Sequence, residues 1–350
     1  MNTVHKNAFR KYQNLEELRI DKCPNLDLID KFAFKGLQKL RLLTISNNPK
    51  LTHIYKATFA GIGNEDSLKI ILKNNFLERI HGMAFKNVHN LRELTIEDRC
   101  MKIASHAFST LTKVDFFTLK GVCSFEEQAF SNASRIHQLH IFDSSANFVR
   151  NMFVQLSHVN QILIHESAIA RIEEEAFTEM FTISSVQIQS NKIGRVDPRA
   201  FVGMENLGTL IFSYNTVRDP LESPECLLNS AQKMVFTENT LHCSCPMRWV
   251  EHYEDRTVLH ENYCGKEEAF KTLAFFQPRG CPSPETTPDP SLMTEIITWP
   301  TSTLHSYSTS NASCFGPFIL ITILCCFISI RFTCMNFYPF NAPYILLVLP

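Results

Sequence analysis

The sequence predicts a solenoid, and two observations predict it. An aromatic residue returns at a nearly constant interval, and an apolar frame of fixed shape precedes each return. Phe9, Phe34, Phe59, Phe85, Phe108, Phe130, Phe153, Phe177 and Phe201 are separated by 25, 25, 26, 23, 22, 23, 24 and 24 residues, and alanine precedes most of them. Self-similarity at a period in the low twenties marks a stack of one repeated unit rather than a globular enzyme fold. The frame reads Leu15, Leu18, Ile20 and Cys23, then Leu40, Leu43, Ile45 and Asn48, and later Leu91, Leu94 and Ile96. It returns as Ile183, Val186, Ile188 and Asn191, and as Leu207, Leu210, Phe212 and Asn215. Period-two alternation reads as a short strand with apolar side chains facing inward, and stacked units bury together what one cannot bury alone. An amphipathic helix does not fit, because the alternation breaks for about sixteen residues after each frame.

This LxxLxIxxN frame resembles the leucine-rich repeat. The resemblance implies an α/β solenoid, a horseshoe of about ten units over residues 1–242, with a parallel concave sheet and an irregular convex side. Each Phe is expected to pack behind its strand as a second internal column. The Asn position is held by Arg99, Val122, Ser144 and Ser167 in four central units. A buried Asn bonds backbone groups of the neighbouring turn, so the middle is expected to be either less stable or differently curved. At the tenth anchor position Cys226 replaces Phe and reads as a small buried hydrophobe.

After Asn239 the repeat gives way to a cysteine cluster, Cys243, Cys245, Cys264 and Cys281, over a segment bounded as 240–282. A metal site fits poorly: there is no CxxC spacing and no histidine at a ligand-like offset, so neither metal nor cofactor is expected. The segment "NTLHCSCPMRWV" resembles the C-terminal cap of extracellular leucine-rich repeat proteins. That resemblance implies Cys243 paired with Cys264, Cys245 paired with Cys281, and Trp249 packed over the last repeat. A cap covers the core that a solenoid end would expose, and its disulfides place the chain in an oxidising compartment. Cys100 and Cys123 occupy equivalent positions of adjacent units, where stacked strands run about 4.8 Å apart. Either they form a bridge or they are two buried thiols filling a turn.

Residues 283–313 are rich in Pro, Ser and Thr and read as an extended stalk. From Phe315 to Ile330 the chain carries no charge. Extended to 337 it is long enough for a single transmembrane helix with Arg331 near one end, leaving a short tail at 338–350. A lipid-anchor signal cleaved near 311–313 is the alternative. At the other end Met1 opens partway through a repeat, without an apolar stretch of signal length, and the chain is expected to be N-terminally truncated.

The 34 basic and 35 acidic residues leave no bias toward nucleic acid. With 11 glycines, no GxSxG elbow, no phosphate loop and no HExxH, no catalytic residue is named and an enzyme is not expected. Frame positions three, five and seven face outward on the concave side. The first four units then show Glu17, Arg19, Asp21, Lys69, Lys73, Glu93 and Glu97; the later ones show Ser185, Gln187, Gln189, Thr209, Ile211 and Ser213. The centre shows Phe116, Lys120, His140, Phe142, Leu163 and His165, the candidate partner-binding residues, with Phe116, Phe142 and Leu163 as hot spots. His140 and His165 lie near each other on neighbouring strands, a placement that suits a pH sensor or a metal; lacking a third ligand, they are expected to be solvated surface. Asn132 and Asn311 begin Asn-x-Ser sites for N-glycosylation. These features imply a cell-surface recognition or adhesion protein that binds an extracellular protein ligand or co-receptor and meets the membrane through its C-terminal apolar segment. The alternatives are a secreted or lipid-anchored matrix protein that binds glycans, or a fragment or decoy. The last rests on "NNPKLTHIYKATF", which is similar to repeats of glycoprotein-hormone-receptor ectodomains.

Overall fold

A computed structural model describes residues 2–62, 68–265, 271–277 and 281. The expected stalk at 283–313, membrane helix at 315–337, tail at 338–350 and Asn311 lie outside the described residues. Among the described residues no helix is long and apolar enough to cross a membrane.

The chain coils into a stack of parallel strands, one strand per frame. In order they are β1 (Glu17–Asp21), β2 (Leu42–Ser46), β3 (Leu68–Lys73), β4 (His89–Ile103) and β5 (Thr112–Phe125). Then follow β6 (Ser134–Phe142), β7 (Ser157–His165), β8 (Met180–Gln189), β9 (Met204–Ser213) and β10 (Lys233–Thr237). They lie side by side in chain order. Frame positions align across them, Leu18 with Leu43 and Ile20 with Ile45 at one end, Leu210 with Met234 and Phe212 with Phe236 at the other. Their inward side chains are buried, Met234 only partly, and the Phe column runs unbroken behind them from Phe9 to Phe201, ring centroids 4.9–5.9 Å apart. Among the described residues helix is confined to the C-terminal end, in α1 (Glu225–Leu228), α2 (Arg256–His260) and two 3-10 segments. The chain returns through turns and, in the C-terminal half, through short strands at Ala168–Ile172, Lys192–Val196, Thr216–Val217 and Thr240–Leu241 that pair into a second parallel sheet, so the α component of the expected class is limited to the C-terminal end.

The Asn column is a hydrogen-bond ladder. Each Asn accepts a backbone N–H from the preceding unit and donates its amide N–H to a carbonyl there: Asn48 accepts from Cys23 at 2.9 Å and donates to Ile20 at 3.2 Å. The central units depart from expectation in two ways. Asp98, not Arg99, fills the inner position of its unit and accepts from the amides of Asn75, Phe76 and Leu77 at 2.8, 3.1 and 3.0 Å. Ser144 and Ser167 keep the ladder whole, accepting from Val122 and Ser144 at 3.1 and 3.2 Å. Only Val122, with no side-chain acceptor, interrupts it. At that junction Gly121 sits at φ +76°, and a Cβ there would lie 1.7 Å from the Asp98 carbonyl oxygen, so glycine is required. Strands β4 and β5 also run on past the frame, pairing Met101 with Val122 and Ile103 with Phe125.

Four columns of left-handed backbone close the turns, one of them two residues after the Phe (Gly36, Gly61, Asn87, Asn132, Gln155, Glu179 and Gly203), and most members are not glycine. The residue two before each Phe, from Asn7 through Phe32, Ala57 and Met83 to Glu175, has φ of 56–61° and donates its N–H to the next unit at 2.9–3.1 Å. A second column precedes the Asn position. The third, just before the frame, holds Asn90, Lys113, Arg135, His158, Thr182 and Asn206 at φ 54–59°. Thr182 is the β-branched member and is exposed; a side chain of that shape is strained there. Thr182→Asn is expected to raise stability by roughly 1 kcal/mol. An unchanged urea midpoint would show that Thr182 carries no strain.

Candidate recognition face

The register lays the outward positions into three columns across the sheet. At position three Glu93, Phe116, Gln138, Gln161 and Ser185 are successive neighbours; at position five Thr118, His140, Leu163 and Gln187; at position seven Lys120, Phe142, His165 and Gln189. Toward the N-terminal end charges pair across strands, Lys69 with Glu93 at 3.2 Å and Lys73 with Glu97 at 2.9 Å. Toward the C-terminal end Gln189 pairs with Ser213 at 2.9 Å, and on β6 and β7 themselves Gln138 pairs with Gln161 at 3.0 Å.

Between these two compensated zones five of the six candidates come together. The Phe142 ring stacks on His140 at 4.5 Å and on His165 at 5.4 Å, and the Lys120 ammonium lies 5.5 Å from the Phe142 centroid. Lys120 also reaches Asp143 at 3.5 Å. Leu163 lies beside His140 in the position-five column, half-buried. The histidines are not solvated surface: both are half-buried, and their Nε2 atoms are in direct contact. Burial holds His140 below the usual histidine range, with His165 adding to the drop and Glu166 opposing it. Phe116 stands apart. It is 46 % exposed in the position-three column, edge-on to His137 at 6.2 Å, so the three hot-spot candidates do not form one cluster.

The cysteines mark the middle of the stack and its C-terminal end. Cys100 is joined to Cys123 with Cα atoms 4.9 Å apart, across the junction where Val122 leaves the ladder without a rung. Cys243 is joined to Cys264 and Cys245 to Cys281. Trp249 packs against the core and donates its indole N–H to the Leu221 carbonyl at 2.7 Å. The ladder itself passes into this segment, ending on Asn262, which accepts from Asn239 at 3.0 Å. Cys226 is half-buried and disulfide-bonded, not a buried hydrophobe standing in for Phe. Asn132 is exposed in the turn after Phe130.

Two hollows escaped the frame arithmetic, because they are lined by turn and flank residues. One, of about 280 Å³, lies where β10 meets α2, between Val235, Leu228, Tyr253 and Val258. The other, of about 730 Å³, lies on the flank beside Tyr55, Lys56 and His81, where His53, Tyr55 and His81 stack at 4.8–5.6 Å. No fixed spacing marks it: His53 and Tyr55 follow Asn48 by five and seven residues, His81 follows Asn75 by six, and the tyrosine does not recur.

No curated protein matches the chain. Among solved structures, a chain of a TLR13–ssRNA13 complex is 20 % identical, with a TM-score of 0.46, over 68 % of this chain and 34 % of its own length. A chain of the Drosophila Toll–Spatzle complex in its glycosylated form is 14 % identical, with a TM-score of 0.24, over 67 % of this chain and 43 % of its own. The chain thus spans less than half the length of either. The profile of the BspA type leucine rich repeat region matches in six copies over residues 2–137 and 123–219. Carrying that profile over most of its described length, on a parallel solenoid with a buried Asn ladder, the chain belongs to the BspA-type leucine-rich repeat family.

Proposed function

We propose that this is a non-enzymatic recognition protein of an oxidising, extracellular compartment that engages a protein partner through its concave face. The observation that carries the reading is the patch of Lys120, His140, Phe142, Leu163 and His165. The charge pairs of the N-terminal strands and the Gln189–Ser213 pair satisfy one another, and between them Phe142 and Leu163 offer the apolar and aromatic surface on which interface energy concentrates. The disulfides support the compartment, since such bonds persist outside the reducing cytosol. In this reading residues 240–282 cap the solenoid, 283–313 form a stalk, 315–337 tether it to the membrane with 338–350 as a short tail, and Asn132 and Asn311 carry glycans.

The test is a binding screen of the chain against secreted and cell-surface ectodomains, repeated with Phe142→Ser and Leu163→Ser. A true partner loses at least roughly ten-fold in affinity with either variant, about 1.4 kcal/mol. Thr209→Ala, on the compensated side, leaves binding unchanged. A partner held equally by both serine variants would refute the assignment of the face. Binding that collapses with salt would point to a sulfated glycan instead.

A further inference from the structure

We infer that His140 and His165 together form a two-histidine site for a late first-row divalent cation of the zinc or copper class, open on the concave face. It goes beyond the recognition reading and stands without it, because metal binding is measured with no partner present.

The argument starts from the placement of the two rings. His140 projects from position five of β6 and His165 from position seven of the neighbouring β7, diagonal positions on the same face of the sheet. Both Nε2 atoms turn toward each other, with ring centroids 4.6 Å apart. A neutral imidazole has one donor and one acceptor nitrogen, so such a contact holds a single hydrogen between two lone pairs. A cation in place of that hydrogen satisfies both nitrogens. With Zn–N bonds of about 2.0–2.1 Å it needs them roughly 3.4 Å apart, which a modest rotation of either ring supplies.

Two further features fit a ligand role. The Phe142 ring stacks on both imidazoles and restricts their rotation from one side. Glu166 Oε1 lies 3.7 Å from His165 Nδ1, the nitrogen that a metal-bound histidine offers to a carboxylate. The nearest cation, Lys120, is already engaged with Asp143 and the Phe142 face. No third His, Cys, Asp or Glu joins the pair among the described residues, so the remaining coordination positions belong to water or to another molecule. Imidazole nitrogen selects copper, zinc and nickel over calcium or magnesium.

The test is calorimetric titration of the purified full chain with zinc ion alone. Saturable binding at one ion per chain is expected. His140→Gln and His165→Gln should each weaken it by more than ten-fold, and Glu166→Gln by roughly ten-fold. Calcium should not compete. If either glutamine variant misfolds, copper(II) paramagnetic resonance on the unaltered chain decides. Hyperfine structure from two imidazole nitrogens supports the site; a signal from one or none overturns it. Absence of saturable zinc binding, or binding indifferent to both histidine substitutions, also overturns it.

Discussion

Asn215→Leu is expected to lower the unfolding free energy by roughly 3–6 kcal/mol, because several buried groups lose partners at about 1–3 kcal/mol each. The Asn215 carbonyl oxygen accepts from the backbone and side-chain amides of Asn191 at 3.0 and 3.1 Å. Its own amide donates to the Ile188 carbonyl at 2.8 Å and to Asn239 at 3.1 Å. Leucine has a similar volume and restores none of these bonds, so the Asn191 N–H and Ile188 carbonyl are left bare between two units. The position is 1 % exposed, and water cannot take the vacated role. Asn215→Ser is the informative companion. Serine at Ser144 and Ser167 still accepts the inter-unit N–H, and donates instead to the carbonyls of Phe142 and His165 within its own unit. It should therefore recover part of the loss. Urea denaturation followed by circular dichroism measures both; a leucine variant within 1 kcal/mol of the parent chain would show that side-chain rungs do not hold the units together.

Phe177→Ala is the second large effect, at roughly 3–5 kcal/mol. Phe177 is fully buried between Phe153 at 5.1 Å and Phe201 at 4.9 Å, with Phe148 edge-on at 6.0 Å. Removing the ring opens a void at the contact between units rather than inside one. Each unit touches only its neighbours, so the loss falls on a single interface and weakens the coupling across it. The expected signature is a split transition, in which amides C-terminal to Phe177 exchange before those N-terminal to it. A single unsplit transition at the parent midpoint would sink the prediction.

The column containing Phe177 was legible because burial forces a large apolar residue to return once per coil, and Phe paired with Ala is conspicuous. The strands were legible for the same reason, their inward positions being Leu, Ile or Val. Asp98 was not, because counting from Leu91 leads to Arg99; the register shift between Glu97 and Met101 moves the inner position back by one. The left-handed columns were hidden too. Phe32, Ala57, Met83 and Gln128 carry no turn signature of their own, and their φ is imposed by the need to close each coil and reach the next carbonyl. Period-two counting placed Lys120, Phe142 and His165 on the outward face. It did not distinguish the column of Phe116 from that of Phe142, and the His140–His165 contact depends on ring rotations that no spacing encodes. The flank hollow beside His81 belongs to the part of the repeat where length varies, and spacing arguments are weakest there.

The junction at Val122 has a mechanical meaning. A stack of coils is a spring, in which each coil is joined to the next by the main sheet ladder, a side-chain rung and, from Ala168 onward, a second short ladder. Between Asp98 and Phe125 the rung is missing, yet the backbone ladder runs on, the Gly121 backbone lies against Asp98, and a covalent bond joins Cys100 to Cys123. At this pair of coils a covalent bond and a continued ladder stand in for the rung, whereas the C-terminal coils are tied by Asn rungs and by the second sheet through Ala168–Ile172 and Lys192–Val196. Lys120, the first member of the patch, belongs to the cross-linked pair. A guest seated on Phe142 would therefore rest on the coil directly after this cross-linked pair, beside Lys120.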